Sequence, residues 1–456
     1  MFEELITPIS ETKISETQDM NRIQAVIDQC FLSGGGTVIL GDGTFYTGGI
    51  RIRSHVTLVL SKGTRLVASR NPQDYFIAET DEVEPLEKGE ISDIRWIPME
   101  DRTSEDRYSW INVIGTTWNH AIIRAIRAED ITIIGEPGSV IDGSDCYDVR
   151  GEEDYRGPHG INFHDCKNIK LKGYTIENTG NWAHCICDSS NITISDITVN
   201  GGHDGVDLMA CEQALISDCE FHTGDDCVAG YGSKDIEVRN CIINTACSGF
   251  RIGGNDIRIH DCRFYGPAKY LFRGELSLEE KISGKPNLNS NEGNHRYNML
   301  SAVTYFAADG IDVKEEPGNI VVKDCTFDNI ERFVHYNFSG NEPWQMIYPL
   351  HDITFENIKA TGIQLPLTLY GDSEKKVTAT FRNVQLKLSE GYAADALIHA
   401  AYVEALILSN VSISNAPENL IKYWNRFGKL ITDGLSADRK MIVLQKAKNT
   451  FTCDWI

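Results

Sequence analysis

A nine-residue pattern that recurs about every 22 residues constrains this chain more than any other feature. Its central Asp or Asn falls at Asp196, Asp218, Asn240 and Asp261, so the copies are almost evenly spaced. The next clear match is centred on Asp324, at a distance that we interpret as three further coils. Short segments that alternate apolar and polar residues at such a period predict a solenoid of stacked strands.

Each copy of the pattern is too small to bury its own apolar face, so it must stack on its neighbours. Equivalent residues should then form ladders. One predicted core ladder contains Ile197, Cys219, Cys241, Cys262 and Cys325. The Asp/Asn ladder beside it predicts a tight turn that tolerates left-handed backbone. No coil carries a helix-length amphipathic stretch, which disfavours a leucine-rich repeat. We therefore predict an all-β fold, a right-handed single-stranded parallel β-helix.

One N-terminal helix is predicted, with Asp19 as its N-cap and Gly34 just beyond its end. Its apolar stripe is Ile23, Val26, Ile27 and Cys30. Such a helix is expected to cover the open end of the coil stack. We predict a single domain over residues 1–456, interrupted by insertions around 70–115 and 266–318. Insertions in a solenoid often build its binding site, the alternative being decorative or disordered loops.

The formal net charge of −23 disfavours nucleic acid and anionic membrane as partners. The N-terminal residues do not resemble a signal peptide, and no run of 18 apolar residues is present. Thirteen cysteines are present, an odd count without zinc-type spacing. We therefore expect a cytoplasmic protein with reduced, buried thiols. The sequence is also compatible with a homo-oligomer.

The densest group of unexplained carboxylates contains Asp204, Asp207, Asp225 and Asp226. Asp225 follows Asp204 by about one coil, so we expect the two to be neighbours. A like-charge group of this kind raises at least one pKa. A protonated acid beside ionised carboxylates is what glycosidic hydrolysis requires. The alternative is that these residues only form turns, and Asp207 fits that alternative best.

Over residues 15–265 the sequence resembles the polygalacturonase-like glycoside hydrolases, family 28. Gly202-His203-Asp204-Gly205 resembles that family's Asn-Thr-Asp-Gly motif, and Gly224-Asp225-Asp226 matches its Gly-Asp-Asp motif. The resemblance implies that Asp225 is the general acid and that Asp204 and Asp226 share the role of base. It also implies an inverting reaction, for which acid and base stand about 6.5–9.5 Å apart.

Two family motifs are altered here. The family's Gly-His-Gly aligns with Cys247-Ser248-Gly249, which places Ser248 where the resemblance implies a histidine. The Arg-Ile-Lys motif that grips a galacturonate carboxylate has no clear match. By their chemistry, seven residues are candidates for substrate binding. They are Trp182, His184, His203, Ser248, Arg251, Lys269 and Arg273. Trp182 would stack on a sugar ring, the alternative being a corner residue packed on the next coil.

The resulting hypothesis is an intracellular, exo-acting glycosidase for imported pectin-type or related oligosaccharides, with no cofactor and no metal. Two alternatives stay open. The first is a polysaccharide lyase on the same fold, with calcium held by Asp204, Asp225 and Asp226. The second is a non-catalytic carbohydrate-binding solenoid.

Overall fold

The computed structural model describes most of the chain. The described residues are 2–8, 13, 15–75, 95–96, 113–114, 120–283, 297–307, 313, 315–340, 342, 344–345 and 347–447. Most of the predicted insertion at 70–115 therefore lies outside the described residues, as does part of that at 266–318. The chain divides into two compact units. The first unit is Met1–Asp225 with Tyr270–Arg296, and the second is Asp226–Lys269 with Tyr297–Ile456. In a quasi-one-dimensional repeat no single core decides the domain count, so the single domain stays a prediction.

The first unit consists of short parallel strands and two α-helices. Its helices are α1 (Met20–Leu32) and α2 (Leu278–Ser283). Its strands are β1 (Phe2–Ile6), β2 (Gly36–Leu40), β3 (Gly43–Thr47), β4 (Ile50–Arg51), β5 (Val56–Leu60), β6 (Thr64–Ala68), β7 (Arg95–Trp96), β8 (Val113–Ile114), β9 (Ala121–Ile126), β10 (Glu129–Gly135), β11 (Val140–Asp142), β12 (His159–His164), β13 (Lys167–Lys172), β14 (Thr175–Glu177), β15 (His184–Cys187), β16 (Ser190–Ser195), β17 (Thr198–Gly201), β18 (Val206–Met209), β19 (Glu212–Ser217) and β20 (Glu220–Thr223).

The strands of the first unit pair with the equivalent strands of the next coil. For example, β13 pairs with β16, and β16 with β19, all in parallel. Ile169 pairs with Ile192 and Ile192 with Ala214, so the length of a coil agrees with the period of the sequence pattern. Inward-facing residues of these strands are buried, because the side chains of a strand alternate between its two faces. The predicted all-β parallel solenoid is confirmed, while its right-handed turn stays a prediction.

The predicted N-terminal helix is present as α1. Ile23, Val26, Ile27 and Cys30 are all buried, as the apolar stripe predicted. Asp19 occupies the N-cap position, but its side chain makes no capping hydrogen bond. Instead its carboxylate accepts from the guanidinium of Arg22 at 2.7 Å and from the backbone N–H of Tyr46 at 3.0 Å. That α1 covers the open end of the coils stays a prediction.

The second unit repeats this architecture with longer strands. Its strands are β21 (Val228–Arg239), β22 (Ile242–Thr245), β23 (Ser248–His260), β24 (Arg263–Tyr265), β25 (Ser301–Tyr305), β26 (Gly318–Lys323), β27 (Thr326–Asp328), β28 (Arg332–Asn337), β29 (Asp352–Ile363), β30 (Leu367–Tyr370), β31 (Val377–Leu388), β32 (Ala396–Ser414), β33 (Asn419–Asp433), β34 (Ser436–Ala437) and β35 (Ile442–Lys446). Parallel pairs such as Ile353 with Ala379 link consecutive coils here as well.

The interpretation of Asp324 as three coils beyond Asp261 is wrong. Ile257 pairs directly with Ile320, so these residues lie on adjacent coils although they are far apart in the sequence. The backbone N–H of Asp261 also donates to the carbonyl of Lys323 at 3.2 Å. The extra length is the insertion, which leaves one coil after β24 and returns in register at β25 and β26.

Within each unit, the members of both predicted ladders lie in register. Ile197 and Cys219 in the first unit, and Cys241, Cys262 and Cys325 in the second, are at most 2% exposed. Every member of the Asp/Asn ladder is left-handed. Their φ values are 55° at Asp196, 59° at Asp218, 53° at Asn240, 55° at Asp261 and 53° at Asp324. Asn and Asp tolerate this conformation because their short side chains hydrogen-bond locally. Among the described residues, no helix is long and apolar enough to cross a membrane.

Candidate active site

Arg156 is the centre of a buried polar cluster in the first unit, here named the Asp225 cluster. The guanidinium of Arg156 donates to Glu153 Oε2 at 3.0 Å and to Asn181 Oδ1 at 3.2 Å. It also donates to His203 Nδ1 at 3.2 Å and to Asp225 Oδ2 at 3.4 Å. Arg156 is only 5% exposed, and such a buried charge requires partners of this kind. One side chain therefore brings the predicted residues His203 and Asp225 together.

Coil geometry explains why His203 rather than Asp204 shares Arg156 with Asp225. The preceding strands β17 and β20 pair Gly201 with Thr223. Continued along both segments, this register makes residue 203 equivalent to residue 225, whereas the sequence analysis matched Asp204 to Asp225. Asp204 is itself buried, at 6% exposure, and its carbonyl accepts from the backbone N–H of Ala183 at 2.9 Å.

Arg273 attaches the insertion to this cluster. Its backbone N–H donates to the carbonyl of Gly202 at 3.2 Å, next to His203. Its guanidinium donates to Asp145 Oδ1 at 2.9 Å and to the carbonyl of Lys281 at 2.8 Å. Burial lowers the pKa of Arg273, although Asp145 opposes the shift. Arg273 is thus already paired with an acid, and its role as a substrate cation stays a prediction.

Two residues that the sequence analysis missed complete the cluster. The ring of Tyr155 stacks on His203, with centroids 5.9 Å apart and planes 24° from parallel. Lys281 of α2 places its Nζ 4.5 Å from the centroid of the Tyr155 ring. Within the described part of the chain, Lys281 makes no salt bridge. Lys281 is therefore the candidate cation of this cluster that is not committed to an acid.

His184 lies in the core of the first unit. Its ring is fully buried, with Nε2 3.0 Å from the Tyr174 hydroxyl and Nδ1 2.9 Å from the Gly205 carbonyl. Burial lowers the pKa of His184 to about 4. Both ring nitrogens are occupied within the core, and a contact between His184 and a sugar stays a prediction.

Trp182 is largely buried as well, at 8% exposure. Its indole packs against the ring of His159, with centroids 5.6 Å apart and planes 55° from parallel. These contacts favour the corner-residue alternative over an exposed platform for a sugar. Asp207, for which a structural role was expected, lies within strand β18 and is 1% exposed.

The second unit holds a separate group, here named the Asp226 cluster. Asp226 Oδ1 accepts from the backbone N–H of Ser248 at 2.9 Å, and Oδ2 lies 3.5 Å from Arg251 Nη1. The Ser248 hydroxyl is 2.9 Å from the hydroxyl of Thr304 and is 1% exposed. Ser248 therefore positions Asp226 through its backbone. Arg251, at 21% side-chain exposure, retains access to a ligand.

Aromatic rings and a second acid surround Arg251. Its guanidinium carbon lies 5.1 Å from the centroid of Phe306 and 5.7 Å from that of Trp344. Glu342 is 2.8 Å from His335 Nε2. Burial alone would raise the pKa of Glu342, but the hydrogen bond from His335 and the charge of Arg251 lower it to about 2. None of these surrounding residues was predicted from the sequence. Phe306, Glu342 and Trp344 lie outside the strands, and His335 lies on β28 without a recognisable motif.

Lys269 is exposed and lies in the second unit. Its backbone N–H donates to Asn244 Oδ1 at 2.8 Å, so the buried Asn244 fixes the main chain at this point. The role of Lys269 as a substrate cation stays a prediction.

Stacked parallel coils define a class of fold, the parallel β-helix proteins, and here the coils carry buried carboxylates. Comparison with known families confirms the resemblance seen in the sequence. The model of glycosyl hydrolases family 28 matches residues 109–256, the stretch that contains Asp204, Asp225 and Asp226. The match therefore covers the predicted catalytic motifs and the coils on which they lie.

Individual relatives agree with the family match. A polygalacturonase of Saccharomyces cerevisiae is 29% identical over 134 residues, 27% of this chain and 37% of that protein. A probable endopolygalacturonase I of Aspergillus terreus is 31% identical over 153 residues, 30% of this chain and 41% of that protein. The chain thus spans less than half the length of these relatives.

Solved structures share the fold at low identity. An exopolygalacturonase of Thermotoga maritima is 17% identical, with a TM-score of 0.57 over 92% of this chain and 87% of that chain. A family 28 exopolygalacturonase of Yersinia enterocolitica is 16% identical, with a TM-score of 0.53 over 99% of this chain and 80% of that chain. These similarities support the parallel β-helix fold.

Proposed function

We propose that this chain is a glycosidase that hydrolyses O-glycosidic bonds of pectin-type or related oligosaccharides. One observation carries the proposal. Asp204, Asp225 and Asp226 are 6%, 6% and 2% exposed, and all lie within the stretch that matches family 28. Carboxylates are almost never buried unless they are paired or functional. A fold that keeps three of them buried in the matching motifs is arranged for acid–base chemistry.

The proposed reaction uses water and no cofactor. Asp225, as the acid, donates its proton to the glycosidic oxygen as the bond from that oxygen to the anomeric carbon breaks. Asp204 and Asp226, as the base, take a proton from the water that attacks the anomeric carbon from the opposite face. The products are two sugars with hydroxyl ends, and the anomeric configuration is inverted. The Ser248 N–H and Arg251 orient the carboxylate of Asp226.

Exo-action on short, imported substrates is part of this proposal. The insertion supports it, since Arg273 and Lys281 lie beside His203 and Tyr155 in the first unit. A segment held there restricts the length of chain that fits. A cytoplasmic location is supported by twelve described cysteines that are free thiols. Cell fractionation tests the location, and the size distribution of early products tests exo-action.

A panel of neutral and uronate-containing oligosaccharides tests the reaction itself. The wild type is compared with Asp204→Asn, Asp225→Asn and Asp226→Asn. Asp218→Asn is the matched control, because residue 218 is an exposed, left-handed corner that Asn also tolerates. Removal of a catalytic acid or base should lower kcat by about 10²–10⁴-fold. Asp218→Asn should leave kcat unchanged.

The same assay separates the alternatives. Proton NMR of the first product should show the inverted anomer, and EDTA should have no effect on the rate. An unsaturated, ultraviolet-absorbing product that EDTA abolishes would establish a calcium-dependent lyase instead. Sugar binding without any turnover would establish the non-catalytic solenoid. Arg156 beside Asp225 favours hydrolysis over the lyase, because a guanidinium already occupies one oxygen that calcium would need.

A further inference from the structure

The protonation state of His203 follows from its hydrogen bond to Arg156. Arg156 Nη1 lies 3.2 Å from His203 Nδ1. A guanidinium carries five N–H donors and no acceptor, so Nδ1 must accept this bond with its lone pair. In a neutral imidazole the single ring proton is then on Nε2. The contact with Arg156 therefore selects one tautomer of His203.

The surroundings also keep the ring neutral. His203 is 2% exposed, and its pKa is lowered well below the ordinary value by burial. The positive charges of Arg156, Arg273 and Lys281, together with His159, lower it further. The stacked Tyr155 ring adds no charge near neutral pH, since burial raises its pKa. At pH 7 His203 is thus an uncharged ring with a proton on Nε2.

This Nε2–H has no hydrogen-bond partner among the described residues, and the atom is buried. A buried donor without a partner destabilises the folded protein. Native structures rarely leave such a group without water or a ligand. Because Nε2–H can only donate, the missing partner must be an acceptor, such as a hydroxyl or carboxylate oxygen. The same guanidinium holds Asp225, so the acceptor lies near a proposed catalytic carboxylate.

We propose that Arg156 is a positioning residue that fixes His203 as its Nε2–H tautomer, and that this N–H donates to an oxygen of the sugar bound beside Asp225. The sugar acceptor rests on the proposed function, whereas the tautomer does not. The aligned family motif carries threonine where this chain has His203, so the donor distinguishes this chain from the motif that it resembles.

Nitrogen NMR of protein with ¹⁵N-labelled histidine tests the tautomer directly. The His203 signals are assigned by their loss in His203→Gln. Between pH 5 and pH 8 the free protein should show a protonated Nε2, an unprotonated Nδ1 and no titration. A proton on Nδ1, or titration near the ordinary histidine pKa of about 6.5, would overturn the proposal.

Added D-galacturonate and D-galactose test the acceptor. Saturation with the sugar that binds should shift the Nε2–H resonance of His203 and slow its exchange with solvent. Binding that other signals report, with an unmoved His203 resonance, would overturn the acceptor and leave water in its place. If neither sugar binds, both the proposed function and the sugar acceptor fail. The tautomer is judged on the free protein in either case.

Two variants of His203 distinguish the effect of its Nε2–H donor from the effect of the packing of its ring. His203→Gln places an amide N–H near the Nε2 position, and His203→Phe keeps the ring without the donor. We expect Phe to lower kcat/KM at least 10-fold more than Gln does. Equal losses would overturn the donor role. His351→Gln is the control, since that side chain is 70% exposed.

Arg156→Met tests the positioning role. Loss of the guanidinium should raise the pKa of His203 and let the Nδ1-protonated tautomer appear in the nitrogen spectrum. Arg156→Lys should restore the single tautomer, since an ammonium also only donates. An unchanged His203 spectrum in Arg156→Met would overturn the role of Arg156.

Discussion

The carbonyl oxygen of Leu271 occupies the space that a side chain on residue 224 would fill. A Cβ built on Gly224 would lie 1.9 Å from that oxygen. Gly224 belongs to the Gly-Asp-Asp motif, and Leu271 lies just before Arg273 in the insertion. The motif glycine thus serves the close approach of a second segment as well as the local turn.

Gly224→Ala should therefore displace the segment around Leu271 and Arg273. The clash is with backbone, so the segment must move, and the Arg273–Gly202 hydrogen bond should be lost with it. We expect kcat/KM to fall at least 10-fold, because displacing a substrate-positioning group by about 1 Å can lower the rate by a factor of this size or more. Limited proteolysis should also cut the segment faster. Gly391→Ala, where nothing lies within 4 Å of the new Cβ, should change neither quantity.

Lys281 should discriminate between uronate and neutral sugars. Its ammonium is held over Tyr155 without an acid in salt-bridge contact among the described residues. Lys281→Met should raise KM for uronate substrates by about 3- to 10-fold, the effect of roughly 1 kcal/mol. KM for neutral substrates should not change. Lys387→Met, at an exposed position, is the control. An equal rise of KM for both substrate classes would contradict the assignment.

Arg251 should act on catalysis through Asp226. Arg251→Met removes a cation 3.5 Å from a carboxylate that is 3% exposed. A buried charge that loses its partner is strongly disfavoured, so the Asp226 side chain should move from its present position. We expect kcat to fall about 10- to 100-fold and the urea midpoint to fall as well, because breaking a buried ion pair also destabilises the fold. Arg258→Met on the same strand β23 is exposed and should leave kcat unchanged. A wild-type kcat in Arg251→Met would refute this role.

Glu342 should contribute to stability at neutral pH and not in acid. Its pKa in the folded protein is lowered to about 2, below the ordinary value of 4.5. Its contribution is therefore present at pH 7 and is lost as the pH falls from about 4.5 towards 2. Glu342→Gln should lower the free energy of unfolding at pH 7 by at most about 3 kcal/mol.

Urea unfolding at pH 7 and at pH 3 measures this difference. The difference in the free energy of unfolding between wild type and Glu342→Gln should be smaller at the lower pH, because the wild-type carboxylate contributes less to stability there. Glu374→Gln, at an exposed position, should show no such difference at either pH. A difference in the free energy of unfolding that grows at pH 3 would contradict the lowered pKa of Glu342.

The coils could be predicted from the sequence because the residues that form their core and their corners recur at a regular spacing. A buried ladder such as Cys241, Cys262 and Cys325 repeats with the coil, and so does the left-handed corner at Asn240 and Asp261. The count of coils failed at Asp324, since its distance from Asp261 fits either three short coils or one coil with an insertion. Only strand pairing distinguishes the two.

Candidate site residues that lie in sequence motifs could be predicted, whereas those that lie in connecting loops could not. His203 and Asp225 were found from their motifs, but Arg156, which binds both, lies in a connection without periodicity. The one sequence feature that could have indicated Arg156 is its position as a single arginine at the end of the acidic segment 152–156. The burial of His184 was not predicted, because alternation does not say whether a polar residue points into the core, where His184 bonds the Tyr174 hydroxyl.

The coil that carries the insertion returns to its neighbour in register, with Ile257 opposite Ile320. Closing a longer loop costs little, and tripling the length of a coil adds only about 1 kcal/mol. The stability of the stacked coils should therefore depend little on the length of the segment between those two residues. We expect that replacing the segment that bears Arg273 and Lys281 would change the proposed discrimination between uronate and neutral sugars and would leave the pairing of Ile257 with Ile320 intact.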